Sequence, residues 1–147
     1  MTLQEQISND LIGAMKAKND LRISCLRMLK TALKNRQVEK MGELTDEEVQ
    51  AVISSLIRRG QEAAKEFRQG GREELALKEE EEAGILYGYL PEQLNPAEIE
   101  NTLREVISEL GATSPKDLGK VMKTAMARMS GKAQGKEVSA IAKSLLS

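Results

Sequence analysis

The chain has no histidine and no tryptophan, and only three aromatic residues, Phe67, Tyr87 and Tyr89. Without histidine there is no imidazole base, no Ser–His or Cys–His relay and no His-containing zinc site. With so few aromatics the core must be aliphatic, with seven methionines as adaptable filler. Bases also cannot be stacked between rings, as single-strand binders stack them. Cys25 is the only cysteine, so no intramolecular disulfide is possible. It lies among apolar helical positions and reads as a small core residue. Prolines number three, Pro91, Pro96 and Pro115, and they punctuate only the second half. No apolar run approaches the roughly 20 residues that span a bilayer, and no N-terminal apolar leader is visible. The expected setting is cytoplasmic, without membrane contact.

What is present is helix-forming. Leu, Ala, Glu, Lys and Met are abundant in the 147 residues. Thr2-Leu-Gln-Glu5 is a capping box that predicts a helix to about Lys18. A second helix is expected over Asp20–Lys40, with Leu21, Cys25, Met28, Leu29, Ala32 and Leu33 on one side and Gly42 as its stop. Thr45-Asp-Glu-Glu48 opens a third, whose stripe is Val49, Val52, Ile53, Leu56, Ala63, Ala64 and Phe67. Gly60, at the centre of that stripe, reads as a place of close helix packing. Gly70-Gly71 ends the element, and a fourth helix runs from about Arg72 towards Pro91.

Asn95-Pro96-Ala97-Glu98 and Ser114-Pro115-Lys116-Asp117 each combine an N-cap, a proline at the first helical position and an acid at the third. They predict helices to about Glu109 and Met129. After the Ser130–Gly135 turn, a last helix reaches about Leu146. The fold class is all-α: an N-terminal domain of about four helices, 1–90, and a small three-helix domain, 96–147.

Charge is segregated beneath a formal net of -1. Residues 16–40 carry a net +6, residues 43–109 a net -10, and residues 110–147 a net +5. In the last stretch Lys116, Lys120 and Lys123 fall at i, i+4, i+7, which a helix would align. Lys132 and Lys136 extend the row. On the second helix Arg27, Lys30 and Lys34 occupy a narrow sector opposite the apolar side. These eight residues are the candidate phosphate contacts of a nucleic acid, together a candidate bipartite surface; a solvated helix face would look the same.

Other motifs carry no chemistry. Gly131-Lys-Ala-Gln-Gly135-Lys136-Glu137 has the wrong glycine spacing and no preceding strand for a phosphate loop, and Gly131 reads as a helix C-cap. Glu79-Glu-Glu-Glu82 points in four directions on a helix and reads as a solvated run, with Glu79 a partner for Arg59 or Arg68. No catalytic residue, metal ligand or cofactor is expected.

Arg27-Met-Leu-Lys-Thr-Ala-Leu-Lys-Asn35, Phe67-Arg-Gln-Gly-Gly-Arg72, Tyr89-Leu-Pro-Glu-Gln-Leu94, Asp117-Leu-Gly-Lys-Val-Met-Lys123 and the Gly131–Lys136 turn resemble the YqeY-like proteins over essentially the whole chain. That family is similar to the C-terminal helical and tail regions of GatB, a component of the glutamine-dependent aspartyl/glutamyl-tRNA amidotransferase. The resemblance implies an N-terminal helical domain and a small helical tail. It also implies a tRNA-holding role for Lys120, Lys123, Lys132 and Lys136, with Gly119, Met122, Gly131 and Gly135 shaping the motif. The chemistry of GatB itself resides in a domain that nothing here resembles, so a carbon–nitrogen ligase activity with glutamine as amide donor would be an inherited label. Gln134 stands where the family usually has Asp, which questions the cap of the last helix. Gly84, Tyr87 and Gly88 replace better helix formers and imply a loose end to the fourth helix. Three readings follow: a non-catalytic tRNA- or RNA-binding module, a protein-interaction adaptor for a translation or amidotransferase partner, and an independent enzyme, against which the missing catalytic constellation argues.

Overall fold

The computed structural model describes residues 1–147 and contains seven α-helices, one 3-10 turn and no strand. Two compact units divide the chain, Met1–Leu90 and Pro91–Ser147. The first holds α1 (Leu3–Lys16), α2 (Asp20–Lys40), α3 (Asp46–Gln69) and α4 (Glu73–Tyr87). The second holds α5 (Pro96–Leu110), the 3-10 turn Pro115–Asp117, α6 (Leu118–Met129) and α7 (Gly135–Leu146). The all-α expectation holds.

Helix starts follow the capping chemistry. The Thr2 and Thr45 hydroxyls accept from the Glu5 and Glu48 N–H groups, both at 3.2 Å, and the glutamate carboxylates accept in return from the threonine N–H groups. Asn95 and Glu98 make the same exchange at 2.8 and 3.2 Å. Each cap satisfies backbone donors that a helix start otherwise leaves free and contributes about 1 kcal/mol. The end of α2 departs from expectation: Met41, not Gly42, takes the left-handed conformation, with φ 61°. Its side chain is almost fully exposed, so nothing but its own backbone opposes that geometry.

The first core joins Ile7 of α1, Cys25, Leu26, Leu29 and Leu33 of α2, Val49, Ile53 and Ile57 of α3, and Ala83, Leu86 and Tyr89. Leu26 and Ile57, both fully buried, lie outside the stripes read from sequence, and Met28 is 40% exposed rather than inside. α3 and α4, joined by Gly70–Arg72, pack as a hairpin. A Cβ at Gly60 would stand 3.4 Å from the Glu79 Oε2 and 3.8 Å from the Glu79 carbonyl oxygen. The glycine therefore sits in an unbroken helix and lets α4 approach closely. This also corrects the pairing expected for Glu79. Arg68 instead grips Glu73 at 2.8 Å and Glu80 at 2.7 Å. Glu79 pairs with neither Arg59 nor Arg68, because its side chain, about 100° round α4 from that of Glu80, packs at Gly60 instead.

Tyr89 closes the first unit. Its hydroxyl donates to Asp10 at 2.6 Å, and Asp10 also lies 3.9 Å from Arg22. Burial, with the Asp10 carboxylate beside it, pushes the phenol well above its usual range. Burial likewise pushes the Cys25 thiol up to about 11, while its Sγ donates to the Glu82 carbonyl oxygen at 3.6 Å. A thiol held so firmly protonated is a core residue, not a nucleophile.

The second core is built from Ile99, Leu103 and Val106 of α5, Val121, Ala125 and Met129 of α6, Ala133, and Val138, Ala142 and Leu146 of α7. Arg128 of α6 clamps Glu109 of α5 through two hydrogen bonds, 2.7 and 3.2 Å. Segment 91–94 is bonded to the turn before α7: Leu94 N–H donates to the Lys132 carbonyl oxygen at 2.8 Å, and Gln93 Nε2 donates to those of Pro91 and Gly131, both at 2.9 Å.

Four ion-paired carboxylates set an acid limit. The Lys40 ammonium holds Glu48 down to about 2, Arg68 lowers Glu73 and Glu80, and Arg128 lowers Glu109. A carboxylate depressed in the folded state stabilises it above the unfolded value and loses that contribution as pH falls through the folded one. Glu82, raised by partial burial, acts in the opposite sense. Melting temperature should therefore decline as pH drops from about 4.5 to about 2, and Arg68→Gln should shallow the decline. A flat profile through that window would contradict these pairings.

Candidate nucleic-acid interface

Lys120 and Lys123 project from α6 because Val121, Ala125 and Met129, at i, i+4 and i+8, turn inward. Lys116 precedes them in the 3-10 turn, Lys132 lies in the turn after α6, and Lys136 is in the first turn of α7. The continuous helical register expected for Lys116, Lys120 and Lys123 is thus interrupted. The Asp117 carboxylate accepts from the Thr113 N–H at 3.0 Å and the Ser114 N–H at 3.4 Å, tightening Pro115–Asp117 into 3-10 geometry.

All five lysines are exposed, and none has a carboxylate within 4 Å. The contrast with Arg128 on the same α6 is chemical: Arg128 is engaged with Glu109 and, at 4.0 Å, Glu105. Of the two acids in this stretch, Asp117 is committed to backbone donors. The surface is therefore a set of unneutralised ammonium groups, able to hold phosphates.

Arg27, Lys30 and Lys34 lie on α2, also exposed and without ion pairs. They belong to the first unit and the tail lysines to the second. Lys30 and Lys34 border a groove of about 410 Å³ between α1 and α2, shared with Gln4, Ser8, Thr31, Leu33 and Gln37. Gln4, Ser8 and Gln37 escaped the sequence reading. Their helical spacing was visible, but uncharged polar residues carry no signal until two helices bring them together.

Gln134 is the N-cap of α7 and makes no capping hydrogen bond. Its Nε2 is buried without a partner. An amide one carbon longer than Asn overshoots the free N–H groups of the helix start. Gln134→Asp should supply the missing acceptor and raise stability by about 0.5–2 kcal/mol. Chemical denaturation with an unchanged or lowered midpoint would show that the turn cannot use it.

No three Cys, Asp or Glu side chains converge on a position that could hold a metal ion. The Glu79–Glu82 run disperses: Glu80 meets Arg68, Glu79 packs by Gly60, and Glu82 is partly buried.

Two small helical units, one with an unpaired lysine surface, define an all-helical protein. The chain belongs to the YqeY-like protein family, whose model matches residues 4–146. Among curated proteins it is similar to altered inheritance of mitochondria protein 41, mitochondrial, from several fungi. Identity is 31% over 112 residues with that of Lachancea thermotolerans, covering 74% of this chain and 60% of the relative. It is 30% over 113 residues with that of Clavispora lusitaniae, covering 75% and 65%. For Vanderwaltozyma polyspora it is 28% over 107 residues, covering 71% and 58%. The chain thus spans less than two thirds of these relatives' length. The cytoplasmic setting expected from composition is corrected by these relatives, which are named as mitochondrial proteins. One buried thiol and the lack of a long apolar segment do not discriminate between compartments that keep thiols reduced. No helix is long and apolar enough to cross a membrane.

Proposed function

We propose that this chain is a non-catalytic module that binds tRNA or another structured RNA through its phosphate backbone, in the manner of the tail of the amidotransferase component GatB. The observation that carries the reading is the set of five exposed tail lysines without carboxylate partners, beside an arginine that has them. A lysine kept only for solubility could equally stand in an ion pair; with Lys143, six are left free in this unit, and that favours an external anion. Recognition would rest on charge and shape, because no aromatic side chain lies in the second unit to stack a base. The adaptor reading draws on a different feature, the exposed Ile12 and Met15 on α1, 52% and 48% accessible, which a protein partner would cover.

Titration of the full chain with tRNA at two salt concentrations tests the proposal. Binding that weakens steeply with salt is expected, and no binding at low salt would refute it. In the same preparation, ATP, glutamine and mischarged tRNA should yield no amidated product. Turnover that persists through rigorous purification would overturn the non-catalytic assignment.

A further inference from the structure

The groove between α1 and α2 differs in chemistry from others on the first unit. Grooves lined by Glu39 and Glu48, by Glu80, and by Asp10 each contain a carboxylate. The α1/α2 groove contains none, in a chain with 23 acidic residues. Lys30 and Lys34, four residues apart, place two ammonium groups along one wall, with Leu33 buried below. Gln37 continues that wall, and Gln4 and Ser8, also four apart, face it from α1. Thr31 is satisfied internally, its hydroxyl donating to the Arg27 carbonyl oxygen at 3.0 Å. Gln4, Ser8 and Gln37 make no side-chain hydrogen bond within the protein, and neither lysine makes an ion pair.

Two cations alone would suit any anion. Two carboxamides and a hydroxyl add both donors and acceptors; an ionised phosphate uses only the donors, whereas neighbouring hydroxyl groups use both. The groove, of about 410 Å³, lies open to solvent along its length, so a ligand would be held by its polar groups and not by enclosure. Lysine stems and Leu33 supply an apolar floor, with no ring on which a base could stack.

We infer that the α1/α2 groove binds a ribose phosphate, with the phosphate between Lys30 and Lys34 and the sugar hydroxyls on Gln4, Ser8 and Gln37. The inference rests on the RNA-binding reading, since ribose phosphate is the repeating unit of that partner; a free nucleotide presents the same chemistry. The 2′-hydroxyl is then read directly and the base is not.

The test is a backbone-amide NMR titration of the full chain with uridine 5′-monophosphate, its 2′-deoxy analogue, uridine and inorganic phosphate. Saturable shifts at Gln4, Ser8, Lys30, Lys34 and Gln37 are expected with the ribonucleotide, weakening roughly tenfold when phosphate or sugar is supplied alone. Gln37→Glu, which introduces a carboxylate at a half-buried position on the groove wall, should abolish them without altering the fold. No shifts at these residues, or equal shifts with inorganic phosphate, would overturn the assignment. A parallel tRNA titration separates the two claims. If tRNA binds and Gln37→Glu leaves it unaffected while the mononucleotide does not bind, the groove assignment falls and the tail-lysine reading stands. If the mononucleotide fills the groove and tRNA does not bind, the groove is a free-nucleotide site and the RNA reading falls.

Discussion

Leu103→Ala is expected to melt the second unit while the first stays folded. Leu103 is fully buried in a cluster shared by all three helices of that unit. Three other members of that cluster, Ala125, Ala133 and Ala142, are too short to refill the space. Truncating such a residue costs about 2–5 kcal/mol, from lost transfer energy and the cavity left behind. A unit of fewer than 60 residues holds only about 3–9 kcal/mol in total. Hydrogen exchange should show protection collapsing across α5, α6 and α7 and persisting in α2 and α3. Protection retained throughout α5–α7 would mean that this core is sturdier than its side chains imply.

Reversing the charge of the lysine row should have the largest functional effect. A Lys116→Glu, Lys120→Glu, Lys123→Glu variant changes the surface by six charge units, replacing attraction for phosphates by repulsion. Affinity for tRNA at low salt should fall on the order of a hundredfold or more. Misfolding is not a ready alternative, because all three side chains are exposed. Lys120 also sits in the first turn of α6, where a helix dipole favours an acid. Circular dichroism should be unchanged. A folded variant with near-parental affinity would transfer the lysines to a solubility role and leave the adaptor reading in front.

Much of the architecture was legible because it is local. Thr2, Thr45 and Asn95 announce their helices by chemistry confined to four residues, and the structure contains all three reciprocal caps. Gly60 was readable as a close-packing position because the stripe continued on both sides of it. What escaped depends on contacts far apart in sequence. Leu26 and Ile57 are buried by helices from other parts of the first unit, and periodicity along a single helix does not reveal how wide its covered face will be. The Tyr89–Asp10 hydrogen bond spans 79 positions. Arg68 had several glutamates within reach in sequence, and only the hairpin register selected Glu73 and Glu80. The candidate surface was legible as composition, in the excess of lysine after Leu110. The geometry was less so: Asp117 turns its carboxylate back onto Thr113 and Ser114, so Lys116 leaves the helical register of Lys120 and Lys123.

Counterion release shows whether the tail lysines meet phosphates. The measurement is tRNA affinity against salt concentration for the parent and for Lys116→Ala, Lys120→Ala, Lys123→Ala, with thermal melting recorded alongside. Each lost phosphate contact lowers the slope of log K on log salt by roughly 0.7–0.9, according to whether the contacted strand is single or paired. The folded triple variant should therefore lose about 2–2.7 from the parental slope. Binding should weaken to a similar degree for RNAs of different sequence. A parental slope that survives the three substitutions unchanged would mean that this row meets no phosphate.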